Sequence, residues 1–243
     1  MIKQKLTGPS GFSEDLSLEK KELAQLRQLI HDQWLEHIKT ISPEYVNRFK
    51  ELGMERYHEA SHLLDHGSIW PKKVRILPQN AISEIRKMSF INQLEDYFGP
   101  FEISDEDNVE REEIYWRLVR PNEKNDVAPL HADSWFWELG HGTTPNNMVR
   151  VKVWIGIYVE PGINGFIYVP GSHLKNLPYN SVLKDGFIKP KIDVDEGSLN
   201  PIHFLGKPGD SIIFNDKLIH GSAIGKGDRT RVSLEFTMFV KPW

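Results

Sequence analysis

The chain has 243 residues, 39% of them hydrophobic and 26% charged, with a formal net charge of -4, which suits a globular protein with one sizeable core. That slight acidity offers no basic surface for nucleic acid, and the absence of cysteine excludes disulfides and thiolate metal sites. MIKQKLTGPSGFSEDLSLEKK lacks the apolar core of a secretory leader, and no later stretch is long and apolar enough to span a membrane, so a cytoplasmic protein is the expectation.

The first third reads as helical. Ser17 is a candidate cap, and Leu23, Leu26, Ile30, Trp34 and Ile38 follow at helical spacing. Ser42-Pro43-Glu44 has the proline of a helix start, and that second helix is expected to run to Gly67. A third spans residues 82–98 and stops at Gly99-Pro100. From Glu113 the pattern changes to short β-branched and aromatic runs between turn residues: EEIYWRLVRP, VRVKVWIGIYVEPG, GFIYVPGSH, GDSIIF and RTRVSLEFTMFV. No helix-length pattern lies between them, which disfavours parallel units and favours an antiparallel sandwich or barrel. The fold class expected is therefore mainly β with N-terminal helices (α+β), as a single domain over residues 1–243. Residues 1–100 form a helical part packing on a β core over residues 113–240. Polar stretches at 139–148 and 178–200 interrupt the strands, and the second is long enough to be a lid.

Two motifs compete for a metal. HEASHLLDH contains His58-Glu59-x-x-His62, the string in which two helical histidines bind zinc and the glutamate acts as base. The third histidine of that pattern is absent, with Ser68 in its place, and the surroundings are polar, as on a solvated helix face. The rival is PLHADSWFW. In a strand, residues two apart share a face, so His131 and Asp133 would grip one ion together. His220, in GDSIIFNDKLIHGS, is the candidate third ligand. Two histidines and one carboxylate leave positions open for a cosubstrate and O2, as non-haem Fe(II) requires. The bland alternative is a strand-end histidine and a satisfied barrel histidine.

The final strand sharpens the choice. Alternation puts Arg229, Arg231, Ser233, Glu235 and Thr237 on one face, with Val232, Leu234, Phe236 and Met238 on the other. A guanidinium close to an iron site is what 2-oxoglutarate needs, since its 2-oxo acid end chelates the metal and its distal carboxylate meets the arginine. Arg231 fits that role better than Arg229, which stands next to the turn.

PLHAD, KVWIGIYVEPGINGFIYVPGSH and GDSIIFNDKLIHGS, with an arginine eleven residues after the last histidine, resemble the phytanoyl-CoA dioxygenase family of Fe(II)/2-oxoglutarate oxygenases from about Trp116 to Phe239. The resemblance implies a double-stranded β-helix (a jelly-roll, cupin-like barrel) and a turn after His220 that crosses between sheets. It implies Fe(II), 2-oxoglutarate and O2, with His131, Asp133 and His220 as metal ligands. Arg231 would pair with the distal carboxylate, Ser222 would be its hydroxyl-bearing neighbour, and Trp154 the aromatic beside the cosubstrate. Lys73 and Trp116 are further cosubstrate candidates, and Trp137, Arg150 and Lys152 candidates for substrate. Related halogenases carry Gly or Ala at the carboxylate position, so Asp133 argues for hydroxylation. The reaction implied is hydroxylation of an unactivated C–H bond of a small polar or anionic metabolite, with release of succinate and CO2. A zinc hydrolase built on His58, Glu59 and His62, and a non-catalytic cupin-like metal-binding protein, stay open as alternatives.

Overall fold

The computed structural model describes residues 1–184 and 186–243. Lys20–Ile41 is the longest helix, and its N-terminus is closed by a capping box between Glu19 and Glu22. Ser17 is not the cap. Its hydroxyl instead bonds Asp210, 2.9 Å away, at the edge of the sheet. Leu26, Ile30, Trp34 and Ile38 form the buried stripe of the helix, each contributing about 2 kcal/mol by leaving water.

The long second helix expected after Ser42 does not form. Pro43–Tyr45 and Val46–Leu52 start it, but Gly53 adopts φ 68°, a conformation that ends an α-helix. Two 3-10 turns, Met54–Glu59 and Ser61–Leu63, follow. The third expected helix is split into Gln79–Ile85 and Ser89–Phe98, and it ends at Gly99 as expected.

Among the described residues every strand pairing is antiparallel. A six-stranded sheet places Val149–Tyr158 between Ser211–Asn215 and Arg231–Val240, with Tyr115–Val119 on the far side of Arg231–Val240. A three-stranded sheet has Phe166–Tyr168 between His220–Ser222 and Ile202–His203. The chain therefore leaves one sheet at Ser222 and enters the other at Arg231, the crossing that the resemblance implied. Residues 178–200, of which Asp185 lies outside the described residues, are not a structureless loop: Tyr179–Lys184 and Phe187–Ile192 pair as a separate hairpin.

The two faces of the large sheet differ as its alternation dictates. Val151, Val153, Ile155, Val232, Leu234, Phe236 and Met238 join the helices in the main core. Arg150, Lys152, Trp154, Arg231, Ser233, Glu235 and Thr237 alternate with them and point toward the smaller sheet. Among the described residues, no helix is long and apolar enough to cross a membrane.

Candidate metal centre

Among the described residues, one group of side chains could hold a metal ion: His131, Asp133 and His220, whose ligand atoms lie within 4.8 Å of one another. Backbone pairing brings the histidines together. His131 N donates to His220 O and His220 N donates to His131 O, both at 2.9 Å. Each ring is then fixed in the same way by its own chain. Nδ1 of His131 bonds Pro129 O at 2.8 Å, and Nδ1 of His220 bonds Leu218 O at 2.9 Å. A carbonyl can only accept, so each Nδ1 carries the hydrogen and each Nε2 keeps its lone pair for a metal.

Asp133 arrives differently from the expectation. It does not extend a strand beside His131 but opens the helix Asp133–Glu138, whose start is held by Ser134 N donating to Asp216 O at 2.9 Å. The helix turns its carboxylate back to the histidines: Oδ1 is 3.8 Å from His131 Nε2 and Oδ2 is 3.5 Å from His220 Nε2. Asp133 Oδ2 is buried without a hydrogen-bond partner, a costly state for a carboxylate unless a cation takes it. The donor set, two imidazole nitrogens and one carboxylate converging on one point, fits a divalent metal with open positions.

The electrostatics favour ligation. Burial first, and then His220, push His131 down to about 4, so its ring is neutral at physiological pH. Burial pushes the Asp133 carboxyl up, but Lys152, His220 and His131 together outweigh it and hold the group below its ordinary range. For Lys152 the direction matches: burial works against its charge, while Asp133 and Glu106 outweigh burial and raise it.

Arg231 is 1% exposed. Nη2 donates to Ser222 Oγ at 3.3 Å, and Nε has no partner. Burial and the neighbouring Arg117 guanidinium push it down to about 10. Among the described residues no carboxylate pairs with it, so it is a buried cation lacking an anion. Arg229 is exposed and pairs with Glu55 at 3.1 Å. Trp154 packs between Phe166 and Phe204, with centroids at 5.5 Å from each.

Several sequence-based expectations are corrected. Trp116 faces away from the histidines: its ring joins the helical core and Nε1 donates to Gln33 Oε1 at 2.8 Å. Strand alternation puts Arg117, not Trp116, on the face shared with Ser233. Lys73 is exposed on the short helix Lys72–Arg75, whereas its neighbour Lys72 reaches inward to Glu106 at 3.1 Å. Trp135, Phe136 and Trp137 lie on the helix Asp133–Glu138, so their rings diverge. Trp135 stacks on Tyr179 at 4.7 Å, Phe136 meets the His131 ring at 5.4 Å, and Trp137 meets Phe239 at 5.6 Å. Arg150 is occupied by Asp216 at 2.6 Å and lies over Trp137 at 5.0 Å.

The rival motif loses its geometry. His58, Glu59 and His62 fall on two 3-10 turns, where residues four apart do not stack on one face. His58 Nδ1 bonds Thr230 Oγ1 at 3.0 Å, Glu59 pairs with Arg56 at 2.6 Å and His62 is exposed. His66 instead meets Asp126 at 3.3 Å and Tyr57 at 3.0 Å.

The phytanoyl-CoA dioxygenase (PhyH) family model matches residues 23–233. No curated protein sequence matches the chain. Among solved structures, the apo form of the non-heme monooxygenase ThoJ superposes with a TM-score of 0.59 at 12% identity, over 98% of this chain and 76% of that one. EvdO2 from Micromonospora carbonacea var. aurantiaca gives 0.59 at 16% identity, over 100% of this chain and 91% of that one. Its complex with 2-oxoglutarate gives 0.58 at 15% identity over the same shares. At such identities the likeness is one of fold.

Proposed function

The chain belongs to the phytanoyl-CoA dioxygenase family and is a 2-oxoglutarate-dependent non-haem iron oxygenase, and on that premise we propose that it hydroxylates an unactivated C–H bond of a small polar or anionic metabolite, releasing succinate and CO2. The two antiparallel sheets, facing each other with the polar strand faces between them, are read as a double-stranded β-helix. The observation that carries the proposal is a pair of unmet demands in one interior: a buried carboxylate oxygen without a hydrogen bond beside two imidazole nitrogens, and a buried guanidinium with no carboxylate and an unbonded Nε.

His131 Nε2, Asp133 and His220 Nε2 would hold Fe(II), and Arg231 with Ser222 would take the distal carboxylate of 2-oxoglutarate. When bound there, iron and its cosubstrate supply the oxidising power drawn from O2. The chain's own part is placement and exclusion of water. Carbonyl bonds to both Nδ1 atoms orient the rings, and the helix Asp133–Glu138 aims the carboxylate. Trp154, Phe166 and Phe204 wall the interior against solvent, which strengthens the charge contacts inside it. With iron bound, the Asp133 carboxylate would take the place left open for a halide in related halogenases, which supports hydroxylation.

The test is an oxygen-free titration of the protein with Fe(II) and then 2-oxoglutarate, followed in the visible for the weak band of the chelate. Appearance of the band in wild type, and its absence in His220→Ala, is the expected result. Iron binding with no band, or no succinate release with any of a panel of polar metabolites, would overturn the proposal.

A further inference from the structure

The interior holds a cation that the metal triad does not explain. Lys152 is 5% exposed and lies on the same strand face as Trp154. Its ammonium donates to Thr237 Oγ1 at 2.9 Å, and it lies 3.7 Å from Asp133 Oδ2 and 3.9 Å from Glu106 Oε1. Behind it runs a half-buried ladder. Thr237 Oγ1 donates to Glu106 Oε1 at 2.7 Å, and Lys72 Nζ donates to Glu106 Oε2 at 3.1 Å and pairs closely with Glu113. Glu106 thus has Lys72 and Thr237 without Lys152, whereas Asp133 Oδ2 has no hydrogen-bond partner at all. Asp133 is the carboxylate whose charge the lysine chiefly meets.

We propose that Lys152 is a positioning and charge-setting residue for the metal, its ammonium cancelling the charge of the one anionic ligand, so that iron lies among donors of zero net charge and its ferric state is disfavoured. Charges a few ångströms apart in a water-poor interior are weakly screened, so one ammonium beside a ligand acts on the ion through it. The ladder supplies what a flexible lysine lacks, a fixed position. Metal sites are tuned through such outer partners of their ligands. The inference rests on the reading of His131, Asp133 and His220 as the iron ligands.

The experiment loads wild type, Lys152→Met, Lys152→Gln, Lys152→Arg and Thr237→Val with Fe(II) alone, without oxygen. It then measures the ferric/ferrous midpoint potential and the rate of ferrous oxidation on exposure to air. Both neutral variants are expected to favour the ferric form at least tenfold more than wild type, a fall of about 59 mV for a one-electron couple, and to oxidise faster. Lys152→Arg keeps the charge and stays near wild type. Thr237→Val, which frees the lysine without removing it, falls between. Neutral variants with a wild-type potential overturn the proposal while leaving iron binding standing. Should neither neutral variant fold, an unchanged potential in Thr237→Val overturns it instead. Wild type that binds no Fe(II) sinks the earlier reading, a distinct outcome.

Discussion

Replacing Arg231 by methionine is expected to make the protein more stable when cosubstrate is absent and nearly indifferent to it when present. Burial and Arg117 lower this guanidinium from its ordinary 12.5 to about 10, and one pKa unit corresponds to about 1.4 kcal/mol, so its charged form carries a penalty of about 3 kcal/mol. Its single 3.3 Å bond to Ser222 returns about 1 kcal/mol. Methionine has comparable length and no charge to desolvate, which leaves a net gain of about 2 kcal/mol. In a chain of this size 1 kcal/mol moves the midpoint by about 2–4 °C, so Tm should rise by about 4–8 °C. Against that stands the lost cosubstrate. Removing one partner of a desolvated ion pair costs about 2–5 kcal/mol of binding, a constant weakened by roughly 30-fold to several thousand-fold. At a hundred times its dissociation constant, 2-oxoglutarate should stabilise the metal-loaded wild type by about 2.7 kcal/mol and the variant by less than about 1 kcal/mol. The assay is thermal unfolding of both proteins with Fe(II) under nitrogen, with and without 2-oxoglutarate. Arg229→Met is the control: its side chain is 59% exposed, and neither quantity should move. A methionine variant less stable than wild type, or one that 2-oxoglutarate stabilises equally, would refute the reasoning.

Three further expectations follow from the same contacts. His131→Ala and His220→Ala should each abolish Fe(II) binding in an equilibrium competition assay while His58→Ala retains it; loss confined to the His58 variant would reverse the assignment. Tyr179→Ala removes the 4.7 Å stack on Trp135 and a 2.7 Å bond to Glu138, so limited proteolysis within residues 178–200 should accelerate with little change in the global midpoint. Unchanged nicking would mean that other contacts hold the hairpin. Asp126 is bonded to both His66 and Arg120, and although burial opposes them these partners hold its carboxyl far below the ordinary value. Such a depressed group contributes stability above its unfolded value of about 3.8, and that contribution is lost as pH falls through the folded value. Asp126→Asn should therefore cost about 3 kcal/mol in urea at pH 7, with a gap that narrows below about pH 4; a gap that widens on acidification is the contrary result.

What the sequence made legible was whatever repeats with a short period. Alternation in RTRVSLEFTMF separated the apolar face from the face carrying Arg231 and Thr237, and the i, i+4 stripe from Leu26 to Ile38 identified the longest helix. What escaped depended on single residues or on distant partners. Gly53 broke a helix whose polar pattern carried straight through it. The two-residue spacing of His131 and Asp133 looked like a strand, but Asp133 begins a helix whose start is anchored by the carbonyl of Asp216. Trp116 and Arg117 differ by one position, and only the pairing register with the last strand decides which of them faces inward. Glu106 sits on a loop with no pattern, and its meeting with Lys152 and Lys72 is purely tertiary.

The reciprocal bonds between His131 and His220 have a consequence for how the chain acquires its metal. These residues are far apart along the chain, and what joins them is ordinary backbone pairing, available to any sequence at that register. The frame that holds the two rings is therefore built from the chain's own hydrogen bonds and needs no ion to close it, in contrast to small zinc domains that stay unfolded until loaded. An ion can then leave and return through a finished scaffold, and which divalent metal resides there is left to supply in the cell as much as to the protein.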